Sequence, residues 1–256
     1  MRFGQLWIDA VTFAQAVDEI ERLVEQGQGG SVFTPNVDHV VKVDGDPVFR
    51  AAYERASLSL ADGQPVVWAS RLLGAEARLP AKVSGSDLVF PLMERAGRKG
   101  WRVYMCGGPP GVAEAAAEVV RQRYGVKVVG TESPRMAMVA NPEDDAIAER
   151  VRKAEAQLLL VGFGAPKQEL FITRAGEKLG PAVALGIGAS LDFMAGRVPR
   201  APRWMSRSGL EWLYRLGKEP RRLWRRYLVE DPKFLLILLR TLRVPREQRV
   251  LPAGTG

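Results

Sequence analysis

The sequence predicts an α/β fold, a doubly wound and largely parallel sheet continued by a basic helical segment, and three observations predict it. From residue 1 to 196, short apolar runs alternate with helical patterns, as stacked β-α units do. Several runs end in glycine-rich turns, among them Gly162-Phe163-Gly164 and Gly186-Ile187-Gly188. Beyond Gly196 the texture changes: residues 197–249 hold 15 Lys+Arg and 5 Asp+Glu, against 22 and 24 in residues 1–196. The net charge of +8 is thus a property of the last quarter. The chain divides into an α/β domain, residues 1–196, and a basic helical appendage, residues 197–256.

Taken in order, Leu6–Ile8 reads as a strand, after which Thr12 caps a helix with Phe13, Val17, Ile20 and Val24 on one face. Ser31–Phe33 is a strand, and Pro47 suits the first turn of a helix capped by Asp46. Ser57–Leu60 is a short strand, and Ser84 or Ser86 caps a helix that ends at Gly100. Arg102–Cys106 is a strand, and Val112–Tyr124 a helix stopped by Gly125. Val126–Val129 is a strand, and Asn141-Pro142 starts a helix with Glu143, Asp144 and Asp145 in its first turn, where the helix dipole favours them. Leu158–Val161 and Val183–Ile187 read as buried strands. The appendage shows helical patterns over Ser208–Leu216, Pro220–Val229 and Pro232–Leu242, with a frayed end from Pro245.

Composition excludes several classes. The single Cys106 rules out an internal disulfide, argues against a cysteine-ligated metal and fits a reducing cytoplasm. Residues 1–30 lack the basic start, apolar core and cleavage site of a signal peptide. The longest apolar run near the end, Phe234–Leu239, falls far short of the ~20 residues of a spanning helix. A chain-wide nucleic-acid-binding character would not partition its basicity into one quarter of the chain.

Ligands of such a sheet gather at the carboxyl ends of its strands. Four turns lie there: Thr34-Pro35-Asn36, Asp62-Gly63-Gln64-Pro65, the run from Gly162 to Glu169, and the run from Gly186 to Asp192. Glycines 162, 164 and 188 let backbone N–H groups approach an anion closely. Each turn alone is common, but four at one edge of one sheet point to a phosphate-bearing ligand. In the appendage, Arg215, Arg221 and Arg225 are candidates to meet a diphosphate, which a guanidinium fork binds well.

Three weaker signals read better as structure. Gly107-Gly108-Pro109-Pro110-Gly111 opens a helix after a strand, but its spacing is wrong for a dinucleotide fingerprint and two prolines lack N–H groups. Asp44-Gly45-Asp46 resembles a metal-holding Asp-x-Asp pair, yet reads as the end of one helix and the cap of the next. His39, the sole histidine, reads as a packed polar residue with a minor claim on substrate. Other classes consistent with the sheet are a nucleotide-binding oxidoreductase or regulatory protein, and a membrane- or RNA-binding module in which the tail is the function.

The quoted turns occur together with Val66-Val67-Trp68-Ala69, Gly85-Ser86-Asp87-Leu88, Pro166-Lys167-Gln168-Glu169 and the run from Gly196 to Pro202. They are followed by Gly209-Leu210-Glu211-Trp212-Leu213-Tyr214-Arg215-Leu216 and the run from Glu219 to Arg226. In this order they resemble the WecG/TagA/CpsF family of glycosyltransferases, over about Ser31 to Tyr227. The resemblance implies a Rossmann-like catalytic domain of the GT-E type, and an inverting transfer that needs neither metal nor other cofactor. It implies a UDP-sugar donor, N-acetylmannosamine foremost among donors that include its uronic acid and glucose. The implied acceptor is a polyprenyl-diphosphate-linked sugar of teichoic acid, common antigen or capsule synthesis.

The appendage is implied to dock on an anionic membrane surface and help close the site. That places the protein in the cytoplasm, peripheral to the inner face of the membrane, and a homo-oligomer is compatible with it. Residue by residue, Asp62 resembles the general base. Thr34 and Asn36 resemble residues lining the sugar and diphosphate cleft, and Gln168 and Asp192 resemble nucleotide contacts. The chain departs from the family pattern at Pro65, and in lacking a Tyr or Phe between Thr131 and Met136.

Overall fold

The computed structural model describes residues 1–74, 78–140, 142–199, 201–202, 204–205 and 208–250. Its main sheet is built of β3 (Gly30–Phe33), β4 (Leu58–Ser59), β5 (Arg102–Gly107), β6 (Lys127–Glu132), β7 (Leu158–Gly162) and β8 (Val183–Gly186). All six run parallel, in the order β4-β3-β8-β7-β5-β6. The chain leaves β3 toward the β4 edge and β5 toward the β6 edge. Such diverging connections open a crevice over the strand ends between them.

Side chains alternate across a strand, so a sheet covered on both faces must be apolar at every position. Leu158 and Leu160 accordingly enter one core with Val103, Met105, Val183 and Leu185. Leu159 and Val161 enter the other with Tyr104, Cys106 and Ala184. The Rossmann-like, doubly wound architecture expected from the sequence is the one found.

Helix α1 (Phe13–Gln26) starts on a reciprocal Thr12–Gln15 capping box and ends at left-handed Gly27. It joins α5 (Gly85–Lys99), α6 (Val112–Tyr124) and α9 (Ser190–Met194) on one face. The other face carries α2 (Val37–Gly45), α3 (Pro47–Glu54), α4 (Gln64–Leu72), α7 (Pro142–Lys153) and α8 (Lys167–Ala175). Asn141, the expected start of α7, lies outside the described residues. Gly107 and Gly162 are fixed by close approach: a Cβ on Gly107 would stand 2.6 Å from the backbone of Gly162.

The structure departs from expectation at four places. The first strand is Leu6–Trp7, paired antiparallel with Arg2–Phe3 as a ribbon apart from the main sheet. The first appendage helix, α10 (Glu211–Lys218), begins at Glu211 rather than Ser208. The second, α11 (Pro220–Arg225), does not continue as α-helix but widens into a π turn over Arg226–Glu230. The third, α12 (Lys233–Leu242), leads into a 3₁₀ turn at Arg246–Arg249, where fraying was expected. That end is anchored because buried Arg249 donates to the carbonyls of Leu73, Leu242 and Val244.

Helix α12 is amphipathic, and its buried side joins the first core. Phe234, Ile237 and Leu238 pack there with Phe3, whose ring centroid lies 6.0 Å from that of Phe234. Thr241 Oγ1 accepts the Gly4 N–H at 2.9 Å.

Candidate active site

The site grows out of the strand ends. Thr34 follows β3, and its hydroxyl donates to the Gly186 carbonyl at the end of β8, at 3.4 Å. Asn36 caps α2, its Oδ1 accepting the Asp38 N–H at 3.1 Å. Asp62 follows β4 and is pinned through the backbone. Its N–H donates to Pro35 O at 2.8 Å, and Ala61 O accepts from Val83 at 2.7 Å. Among the described residues its carboxyl takes part in no hydrogen bond. Burial pushes the Asp62 pKa up to about 6, against the pull of Arg215, with Glu211 pushing the same way as burial and Lys82 and His39 opposing.

A cleft of about 830 Å³ opens over these ends. Thr34, Asn36, Asp62, Gly162, Gly164, Gln168, Gly188, Asp192 and Arg215, all singled out from sequence, line it together. Arg221 and Arg225 do not. Both are exposed, and Arg225 faces Glu230 at 3.6 Å. Arg222 and Arg226 line the cleft instead. The sequence carried part of the signal: Arg222 and Arg226, four apart, share one helical face, whereas Arg215 reaches the cleft from the preceding helix, beyond the break at Glu219.

Some expected contacts are internal. Gln168 is buried; its Oε1 accepts the Gly188 N–H at 2.9 Å and its Nε2 donates to Glu169 at 2.9 Å. It therefore brackets the two glycine turns. His39 is likewise packed, with Nδ1 2.8 Å from Asn36 Oδ1 and Nε2 3.4 Å from buried Glu169, and it also lines the cleft. Arg226 Nη2 donates to Asn36 Oδ1 at 3.1 Å and lies 3.7 Å from Asp38. Asp192 sits in the first turn of α9, where burial raises its pKa while its own backbone N–H and Arg197 lower it.

After β6, the cleft wall is Pro134, Arg135 and Met136. Aromatic faces come from Phe163 and Phe193, which sequence reasoning passed over although they adjoin the glycine turn and Asp192. The Gly107–Gly111 turn contributes Gly108 and Pro109, but the Gly108 N–H is spent on Gly162 O at 3.2 Å. Asp46 caps α3 through the N–H groups of Val48 and Phe49, and Asp44 lies 3.4 Å from Arg240. Neither lines the cleft. Among the described residues, no three His, Cys, Asp or Glu side chains are grouped so as to hold a metal ion.

The outer sides of the appendage helices are apolar as well as basic. Trp224, Leu228, Leu235, Leu236 and Leu239 are each more than half exposed. Among the described residues no helix is long and apolar enough to cross a membrane.

A cleft at the strand ends of a doubly wound sheet, with an unengaged carboxyl facing several arginines, suits transfer to or from a phosphate-bearing donor. Residues 1–248 match the model of the glycosyl transferase WecG/TagA/CpsF family, so the chain belongs to that family, whose members are glycosyltransferases of cell-surface polysaccharide synthesis.

Proposed function

We propose that the protein transfers a sugar from a UDP-sugar to a polyprenyl-diphosphate-linked acceptor, with inversion and without a metal ion. The observation that carries this reading is Asp62: a carboxyl with a pKa of about 6 and no hydrogen bond among the described residues, lining the cleft together with Arg215. At neutral pH such a group is ionised and close enough in pKa to serve as general base. Asp62 takes the proton of the acceptor hydroxyl as its oxygen bonds to the anomeric carbon. The bond from that carbon to the UDP oxygen breaks, and the electron pair leaves with the diphosphate.

The departing charge needs fixed positive partners. Arg215, Arg222, Arg226 and the turn at Gly162 and Gly164 supply them, while the Gly188 N–H is engaged by Gln168. Thr34 and Asn36 line the sugar and diphosphate end, and Asp192 is placed to accept from ribose hydroxyls. Gln168 acts by holding the Gly188 turn. Phe163 and Phe193 offer the faces on which a uracil would rest. The donor sugar taken is N-acetylmannosamine, on the resemblance alone.

The appendage supports a peripheral place at the inner face of the membrane, since arginines flank exposed tryptophan and leucine there. UDP release over a panel of UDP-sugars, in EDTA and with a polyprenyl-diphosphate-sugar acceptor, tests the reading. Release that depends on the acceptor and survives EDTA is expected. A strict demand for Mg²⁺ or Mn²⁺, or indifference to the acceptor, would refute it.

A further inference from the structure

Beside the strand-end cleft lies a smaller cavity of about 290 Å³. It shares Asn36, Asp62, Arg215 and Arg226 with the cleft, so the two spaces adjoin along these four residues. Its remaining walls are largely apolar: Val37 and Pro65 on one side, Trp212, Tyr227, Phe234 and Leu235 on the other. These walls are braced. Phe234 is buried against Phe3, and Trp212 meets Tyr227 edge-on at 5.7 Å between centroids. Leu235 is 61% exposed. The slot thus grades from cations at its junction with the cleft, where Lys82 also stands, to bare hydrocarbon at Leu235.

That gradient is the complement of an amphiphile whose anionic group adjoins a hydrocarbon chain. Aromatic faces alone would also suit a base or a sugar ring, but the aliphatic Val37, Pro65 and Leu235 beside them reward hydrocarbon, which gains on leaving water in proportion to the area buried. We propose that this slot receives the first hydrocarbon segment of the lipid-linked acceptor, entering between α10 and α12 while the UDP-sugar fills the strand-end cleft. The proposal rests on the acceptor reading above and adds the path of the lipid. Two adjoining spaces that share Asp62 would let acceptor and donor approach separately, as inversion requires of a nucleophile and leaving group on opposite sides of the anomeric carbon. Asp231, in the slot wall, would repel a diphosphate beside it once ionised. Glu211 also lines the slot, but it is ion-paired with Arg215, so the anionic group belongs at the Lys82 and Arg215 end, next to Asp62.

The test is run in detergent with two acceptors of identical sugar-diphosphate head, one carrying a long isoprenoid chain and one a chain of a few carbons. Leu235→Glu is expected to lower kcat/KM for the long-chain acceptor at least about tenfold, the scale of one leucine's burial. The short-chain acceptor should change by less than about twofold, and UDP affinity by calorimetry should hold. Leu235→Ser, a milder change, should show the same selectivity. Leu72→Glu, equally exposed but on α4 and outside both the slot and the cleft, should spare both acceptors. Equal loss with both acceptors, or no loss with either, overturns the slot while leaving the transfer reading intact. If the unsubstituted protein uses neither acceptor, the transfer reading itself falls, and the slot with it.

Discussion

Asp62→Asn should make the protein more stable and nearly inactive at once. The carboxyl is held among protein atoms that penalise its charge, so its pKa rises from 3.8 to about 6. A group whose folded-state pKa is raised stabilises the fold fully below its unfolded value, and loses that contribution as pH climbs through the folded one. Above pH ~7 the ionised carboxyl therefore costs up to about 3 kcal/mol, at 1.36 kcal/mol for each pH unit of displacement. Its partial access to the cleft makes about 2 kcal/mol the better figure.

Asparagine keeps the shape and removes the charge. The variant should melt roughly 4–8 °C higher at pH 8. The difference should shrink between pH ~6 and ~4 and vanish below. Turnover should fall by about two to four powers of ten, the range for loss of a general base. In the parent, kcat/KM should rise with a midpoint near pH 6 to a plateau above about 7, since the base must be ionised. Calorimetric melting at pH 4 and 8 beside a UDP-release assay decides it. A variant that melts lower at pH 8, or keeps near-normal turnover, would refute the reasoning.

The appendage arginines make a paired prediction. Arg222→Ala should lower kcat/KM by about ten- to a hundredfold, as expected for a charge-assisted hydrogen bond, while Arg221→Ala, outside the cleft, should stay within about threefold. Asp192→Ala should weaken UDP binding by about 1.5–3 kcal/mol in calorimetry; unchanged affinity removes Asp192 from the nucleotide site. Leu236→Glu with Leu239→Glu should cut co-sedimentation with anionic vesicles about tenfold or more, and full-length binding should weaken with salt. Surface substitutions serve here because deleting the chain beyond Gly196 would strip Phe234, Ile237 and Leu238 from the core.

Much of the fold and half of the site were legible because their signals are local. The strand runs, the Thr12 and Asp46 caps and the left-handed glycines 27, 100 and 125 each act within a few residues. Thr34, Asp62 and the glycine turns were found because a strand end fixes where its next residues must go. What escaped depends on distant partners. Nothing near Gly4 announces that Thr241 will satisfy its N–H, and nothing near Leu73 announces Arg249. Gln168 was read as a free contact because its neighbour at Gly188 comes from another strand.

The phase between the last two appendage helices escaped for a subtler reason: reading Pro220–Val229 and Pro232–Leu242 as plain α-helix misaligns their inward faces. From Arg226 to Phe234 is eight residues, which on an α-helix turns the second about 80° away from the first. Both nonetheless face inward, Arg226 onto Asn36 and Phe234 onto Phe3. The π turn reconciles them. Its wide hydrogen bond, from the Asp231 N–H to Arg226 O at 2.8 Å, takes up one extra residue and about 100°. Arg226 and Phe234 then fall within about 20° of a common face. Leu228 and Val229 are left on the outside, exposed beside Trp224. The same irregularity that sets a guanidinium at the cap of α2 thus also sets the outward apolar row, so any surface that holds the row also holds the arginine at the site.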